Sequence, residues 1–230
     1  IINFISVICL GLLVYIDLRK TIKFRLVYKT NSDFTLLLKE STSIFTAGIS
    51  SKIYTGSSKI LFGLLNEYSI VTIFDICEKI IKFLKLPSNI LFQAVFPSLT
   101  IETKSKKIIR FIIIIFLIGL LSALVGFVFG EYLISLLGGT GLSDKSIIIL
   151  NTLLITIPLI ALNNSICNLI FLLKNKHKTI MLSSLIGLTS FIIGLNFILI
   201  NQNINEASVS FLMVLAEISV SSYLLIKIYK

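Results

Sequence analysis

Residues 69–100 read SIVTIFDICEKIIKFLKLPSNILFQAVFPSLT, an apolar stretch long enough to cross a lipid bilayer. Five charged side chains nevertheless lie within it: Asp75, Glu78, Lys79, Lys82 and Lys85. Each ionisable group near the centre of a membrane span costs about 2.5–3.5 kcal/mol on insertion scales. The charged face of such a helix must therefore contact protein or a water-filled cavity.

The composition of the whole chain indicates a membrane protein. Hydrophobic residues make up 56% of the 230 residues and charged residues only 14%, and several apolar runs reach the roughly 20 residues that a spanning helix needs. The sequence predicts an all-α, polytopic membrane helix bundle with about seven transmembrane helices. The predicted spans are residues 1–17, 34–64, 69–100, 108–129, 146–173, 179–200 and 207–226.

Basic residues concentrate in the connections between these spans. The net charge is +10, and in a polytopic membrane protein Lys and Arg in short loops mark the cytoplasmic side. We therefore interpret the charge as a topology signal, with the C-terminus in the cytoplasm, and predict no nucleic-acid partner. Residues 18–33, which alternate basic and apolar side chains, are predicted to form an amphipathic linker on the membrane surface.

The sequence contains no pattern typical of a metal, cofactor or catalytic site. Cys9, Cys77 and Cys167 lie far apart inside apolar segments, and the single histidine, His177, lies in the basic run KNKHK. Cysteines in such positions usually behave as small, buried hydrophobic residues. We predict no cofactor, no metal and no catalytic residue.

The predicted span 34–64 is unusually polar for a helix in lipid. Lys52 and Lys59 are seven residues apart and so share a helix face, and Gly48, Thr55 and Gly56 extend that face. One interpretation is the wall of a substrate cavity. The other is a close helix interface of small residues, with the two lysine side chains extended toward the membrane surface.

Charges in residues 69–100 follow helical spacing. Asp75 with Lys79, and Glu78 with Lys82, form i, i+4 pairs with the acid on the N-terminal side, the favoured order. These pairs are either a structural network or part of a site for an anion. Away from their ends, the predicted spans 34–64 and 69–100 carry five lysines, including Lys85, against two acids. Pro87 is predicted to kink the second of these spans.

Two further polar positions lie within apolar spans. Glu217 is ten residues into its span, about 15 Å from the end and near the midplane. It is expected either to pair with a lysine or to stay neutral through desolvation and so carry a proton. Asn164 belongs to a polar group with Asn163, Ser165 and Asn168. These side chains are expected to bind sugar hydroxyls or to hydrogen-bond between helices.

Several short segments resemble one family of membrane transporters. They are LLLKES at 36–41, IYTGSSKILFGLL at 53–65, CEKIIKFLKLP at 77–87, QAVFPSLT at 93–100 and AEI at 216–218. In this order they resemble the C-terminal half of the bacterial polysaccharide and O-antigen flippases, which are lipid-linked oligosaccharide translocases of the MATE-like superfamily. The resemblance covers most of the chain from Leu38 onward.

The resemblance implies two helical lobes around a central cavity in the bacterial inner membrane. Residues 1–17 would be the last helix of an N-terminal lobe missing from this sequence, 18–33 the linker and 34–230 a six-helix C-terminal lobe. The implied function is translocation of an undecaprenyl-diphosphate-linked oligosaccharide for lipopolysaccharide or other surface polysaccharide, in partnership with membrane lipids and the polymerase machinery. Lys52, Lys59, Lys79 and Lys82 would bind the diphosphate and Asn164 the glycan. Asp75, Glu78 and Glu217 are the candidates for ion coupling.

Two other functions are compatible with a helix bundle of this kind. A multidrug or small-cation antiporter of the same fold is expected to have a net acidic cavity, which the excess of lysine argues against. A membrane enzyme of polysaccharide assembly is expected to have a large external loop or an embedded His-Asp or Arg-rich site, and neither is visible in the sequence.

Overall fold

The computed structural model describes residues 31–101, 105–138, 144–201 and 204–229, and these are almost entirely helical, with no strand among them. The all-α prediction is therefore confirmed. The chain divides into two compact units, residues 1–39 and residues 40–230, and the second contains the helical bundle. The predicted span 1–17 and residues 18–30 of the predicted linker lie outside the described residues.

The described part of the chain contains eight α-helices and one π-helical segment. In chain order they are α1 (Asn31–Leu64), α2 (Tyr68–Leu84), α3 (Leu86–Ile101), α4 (Ser105–Gly138), α5 (Asp144–Leu154), α6 (Thr156–Ile166), the π-helical segment (Cys167–Leu172), α7 (His177–Ile200) and α8 (Glu206–Tyr229).

Four helical stretches of the described chain are long and apolar enough to cross a membrane. They are Lys106–Leu137, Lys145–Leu172, His177–Ile200 and Glu206–Tyr229, and they correspond to the last four predicted spans. The predicted number of about seven is not confirmed, because α1 and the α2–α3 pair are not among the four. Helix α1 is long but polar, and the predicted span 69–100 is divided between the two short helices α2 and α3.

Two helices form the centre of the bundle. Helix α4 packs against α2, α3, α5 and α6, while α8 packs against α5, α6 and α7. Glycine permits one of these close approaches: a methyl group on Gly119 would lie 3.1 Å from the Cα atom of Pro158 and from the Cβ atom of Ala161. Helices α4 and α6 therefore meet almost backbone to backbone at this point.

Helix α1 buries a face of mainly small and polar residues together with the rings of Tyr54 and Phe62, and exposes several large apolar residues. The buried positions recur every three or four residues and so form one face: Ser43, Ala47, Ser50, Tyr54, Ser58 and Phe62. Exposed positions include Ile44, Phe45, Ile49, Ile53 and Ile60. This distribution suits a helix that packs on protein with one side and meets lipid with the other.

Two tight turns and one ion pair define the ends of the bundle. Asn66 and Asn175 both have positive φ angles, of 60° and 53°, as is usual for the residue that ends a helix in a left-handed conformation. Lys145 Nζ lies 2.6 Å from Glu206 Oε1. This contact places the first turns of α5 and α8 at the same end of the molecule.

Candidate functional site

The interruption between α2 and α3 positions a lysine at the site. Helix α2 ends at Leu84 and α3 begins at Leu86, with Lys85 between them. The Lys85 backbone N–H still donates to the Ile81 carbonyl, and the Lys85 carbonyl accepts from the Asn89 N–H, so helical hydrogen bonds continue on both sides of Lys85. The kink was expected at Pro87, and the interruption lies two residues earlier because proline clashes with the preceding turn and disfavours helical geometry just before itself.

A cavity of about 310 Å³ lies among α1, α2, α5, α6 and α8. Its apolar lining includes Phe74, Ile81 and Met213. Its charged lining consists of four lysines and two carboxylates: Lys52, Lys59, Lys82, Lys85, Glu78 and Glu217. One of the lysines, Lys85, lies at the helix interruption. Because four lysines stand against two carboxylates, the lining has an excess of positive charge, and we call this cavity the cationic cavity.

An ion-pair network crosses from α1 to α2 beside the cavity. Lys59 Nζ lies 2.9 Å from Asp75 Oδ1 and 3.0 Å from Glu78 Oε2, so a single ammonium group bridges two carboxylates. Lys79 Nζ lies 2.8 Å from Asp75 Oδ2. Lys82 Nζ lies 3.4 Å from Glu78 Oε2. The two i, i+4 pairs expected from the spacing are thus present, and the network of three lysines and two acids keeps one net positive charge.

Two lysines of the cavity are outside this network. Lys85 is half-buried and Lys52 is exposed, and neither makes an ion pair or a side-chain hydrogen bond with any other part of the chain that the structure describes. Both line the cavity. Their charge is therefore not offset by a neighbouring carboxylate in contact with them.

Glu217 of α8 is buried, with 5% of its surface exposed, and is held by neutral donors. The Tyr54 hydroxyl donates to Oε1 at 2.7 Å, and the Asn163 side-chain amide donates to Oε2 at 2.8 Å. Ser221 in turn donates to Asn163 Oδ1 at 2.8 Å, which orients the amide. Among the described residues no lysine lies within ion-pair distance of Glu217, but Lys85 lines the same cavity and interacts with Glu217 electrostatically, so both expected alternatives for Glu217 stay open.

The structure brings most of the predicted site residues together. Lys52, Lys59, Lys82, Glu78 and Glu217 all line the cationic cavity. Lys79 and Asp75 belong to the ion-pair network without lining the cavity. Asn164 lies elsewhere, in a separate cleft of about 180 Å³.

Three residues of the site were not predicted. Lys85 was noted only as a charge in its span, whereas Tyr54 and Asn163 are the donors to Glu217. Tyr54 shares the small, polar face of α1 with Ser50 and Ser58, which was a usable signal. Nothing local distinguishes Asn163 from Asn164, since only the packing of α6 on α8 turns Asn163 toward Glu217.

The described residues include no group of His, Cys, Asp and Glu side chains that could hold a metal ion. Cys77 and Cys167 are free thiols, the first of them buried. No family model, curated protein or solved structure matches this chain. The chemistry of the cationic cavity is therefore the basis for a functional proposal.

Proposed function

We propose that this protein is a transporter that moves an undecaprenyl-diphosphate-linked oligosaccharide across the bacterial inner membrane for surface polysaccharide synthesis. The observation that supports this most is the charge of the cavity, in which four lysines stand against two carboxylates. A diphosphate supplies negative charge and several acceptor oxygens, and it would offset the excess of lysine.

The distribution of partners within the cavity supports an anionic ligand. Glu78 already contacts Lys59 and Lys82, and the two oxygens of Glu217 accept bonds from Tyr54 and Asn163. Lys52 and Lys85 make no ion-pair contact with a carboxylate in the described chain, and Lys85 interacts with Glu217 and Glu78 only at longer range. Because charges interact more strongly away from bulk water, two such lysines near one diphosphate would contribute substantially to binding.

The resemblance to polysaccharide flippases leads to a specific transport cycle. In the proposed cycle this bundle forms one of two lobes, and rocking of the lobes exposes the cavity first to the cytoplasmic leaflet and then to the outer one. The lipid tail stays in the bilayer throughout. Glu217 is the proposed ion-coupling group, since Asp75 and Glu78 already form ion pairs with lysines. The polymerase of the polysaccharide pathway would receive the delivered repeat unit.

The experiment replaces Lys85 in the gene for the full protein and measures surface polysaccharide together with extracted lipid-linked intermediates. With Lys85→Ala, surface glycan should fall and lipid-linked repeat units should accumulate, because the cavity loses an unpaired cation. Lys85→Arg keeps the charge and should retain export. Lys145→Ala, which removes a charge from the Lys145–Glu206 pair at the end of the bundle, should also retain it.

The same experiment tests the alternative function, a multidrug antiporter. Normal surface glycan in the Lys85→Ala strain, combined with a changed sensitivity to cationic drugs, would assign the cavity to an exporter and contradict the proposed substrate.

A further inference from the structure

A second polar cleft lies beside the cationic cavity. Its volume is about 180 Å³, and α3, α4, α6 and the π-helical segment line it. Six of the lining residues carry hydroxyl or amide groups or an aromatic ring: Ser88, Asn89, Phe92, Asn164, Ser165 and Asn168. None of the described residues that line it is charged. We call it the amide cleft.

The amides of this cleft have unused hydrogen-bonding capacity. The side chains of Asn89 and Asn164 make no hydrogen bond within the described chain, and both residues are exposed. Asn168 donates from Nδ2 to the Asn164 carbonyl at 2.8 Å, which leaves its Oδ1 free as an acceptor. Asn164 and Asn168 belong to the stretch Lys145–Leu172, which is apolar enough to cross a membrane. An unpaired amide in hydrocarbon costs several kcal/mol, so we expect water or a polar ligand to occupy this cleft when the stretch crosses a membrane.

The chemistry of the lining favours a neutral polyhydroxyl group. Amide oxygens accept from hydroxyls and amide nitrogens donate to them, and the Phe92 ring offers an apolar surface to the C–H face of a sugar. The Ser88 and Ser165 hydroxyls donate to the carbonyls of Lys85 and Ala161 but retain acceptor capacity. Without a charged group in the lining, neither a phosphate nor an ammonium ion finds a counter-charge there.

Two segments of the chain, the α2–α3 junction and α6, contribute residues to both cavities. At the helix interruption, Lys85 lines the cationic cavity and Ser88, three residues on, lines the amide cleft. In α6, Ile160 lines the first and Asn164 the second. Three or four residues correspond to about 5–6 Å along a helix. On these two segments, the lining residues of the cationic cavity and of the amide cleft are therefore about one helical turn apart.

We propose that the amide cleft binds the sugar ring attached directly to the diphosphate. This inference rests on the proposed function, in which the diphosphate occupies the cationic cavity. The cleft is the smaller of the two, and it therefore suits one ring rather than an oligosaccharide. The hydroxyls of this ring form hydrogen bonds with Asn89, Asn164 and Asn168, while the remaining sugars extend beyond the cleft.

The test measures binding to the purified full-length protein in lipid nanodiscs with two probes. One is undecaprenyl diphosphate, and the other is lipid-linked oligosaccharide extracted from host cells that lack the gene. Wild type should bind the glycosylated lipid about tenfold more tightly, as expected for two additional hydrogen bonds. Asn164→Leu should remove this preference and leave the binding of undecaprenyl diphosphate unchanged, which also shows that the variant is folded. Lys85→Ala should weaken both probes.

The outcomes separate the two proposals. If wild type binds neither lipid, the proposed function fails and the sugar site fails with it. If wild type binds both lipids equally, or if Asn164→Leu keeps the preference for the glycosylated lipid, the sugar site is overturned while the cationic cavity stands.

Discussion

The hydroxyl of Tyr54 and the carboxyl of Glu217 are 163 residues apart in the chain and 2.7 Å apart in the structure. Tyr54→Phe removes this donor from a buried carboxyl, which should lower the free energy of unfolding by about 1–3 kcal/mol. Denaturant unfolding in detergent micelles measures the change. In a Glu217→Met background the same substitution should cost clearly less, since the acceptor is gone.

Ser51→Ala is the matched control for this cycle. The Ser51 hydroxyl lies 3.4 Å from the Tyr54 hydroxyl, a weak contact by distance, so its loss should change stability by less than about 0.5 kcal/mol. Equal costs for Tyr54→Phe in the presence and absence of Glu217 would mean that the hydrogen bond does not stabilise the fold.

Lys59 and Lys79 provide a second comparison between single residues. The Lys59 side chain is 28% exposed and bridges two carboxylates, whereas Lys79 is 63% exposed and contacts one. Lys79→Met should lower the free energy of unfolding by less than about 1 kcal/mol, as is usual for an exposed ion pair. Lys59→Met should cost more, because it removes the ammonium group that bridges the two carboxylates and leaves each with only its i, i+4 lysine. A larger loss for Lys79→Met in thermal unfolding would contradict this ranking.

The sequence could predict the local part of this site and not the tertiary part. Asp75, Glu78, Lys79 and Lys82 lie within about two turns of one helix, so their pairs follow from 3.6-residue periodicity. Lys59 joins them only because α1 packs against α2. Glu217 was recognisable as an embedded charge, but its neutral donors come from α1 and α6, and no local pattern relates those segments to α8.

At the scale of helices, the contact of α4 with α6 depends on Gly119. Gly119→Ala would place a methyl group 3.1 Å from the Pro158 Cα atom, a backbone atom that a rotamer change cannot move. The helices would have to separate, at a cost of about 1–3 kcal/mol in the free energy of unfolding. Thermal unfolding of the purified protein measures this cost.

Gly48→Ala in α1 is the control for that substitution, because no atom lies within 4 Å of the position that its methyl group would occupy. Replacing an exposed helical glycine by alanine should stabilise by about 0.5–1 kcal/mol. A destabilisation as large as that of Gly119→Ala would show that the cost arises from the substitution itself and not from the contact.

Only part of the pattern of α1 was readable from the sequence. The predicted face contains Gly48, Lys52, Thr55, Gly56 and Lys59, and all of these except Gly48 line the cationic cavity. The face that is buried in protein is a different one, with Ser50, Tyr54 and Ser58, and it was not predicted. The interruption at Lys85 was displaced from the expected Pro87 because proline strains the turn before it.

At the scale of the whole molecule, the distribution of charge predicts how the bundle lies in the membrane. Lys145 and Glu206 meet at one end, while the basic turn between the π-helical segment and α7 separates two stretches that can each cross a membrane. Positive loops face the cytoplasm. A phosphatase domain inserted at Asn201 should therefore be active and one inserted at Asn175 inactive, with green fluorescent protein showing the reverse. Phosphatase activity at Asn175 would contradict the proposed orientation.

The central claim is that the cationic cavity carries an anionic lipid-linked oligosaccharide between leaflets. The most direct measurement is the fraction of lipid-linked repeat units that a membrane-impermeant glycosidase can cleave from outside intact spheroplasts. Spheroplasts with the wild-type protein or with Lys85→Arg should present cleavable repeat units, and those with Lys85→Ala should retain theirs protected on the inside. Equal cleavage in the wild-type and Lys85→Ala spheroplasts would contradict the claim.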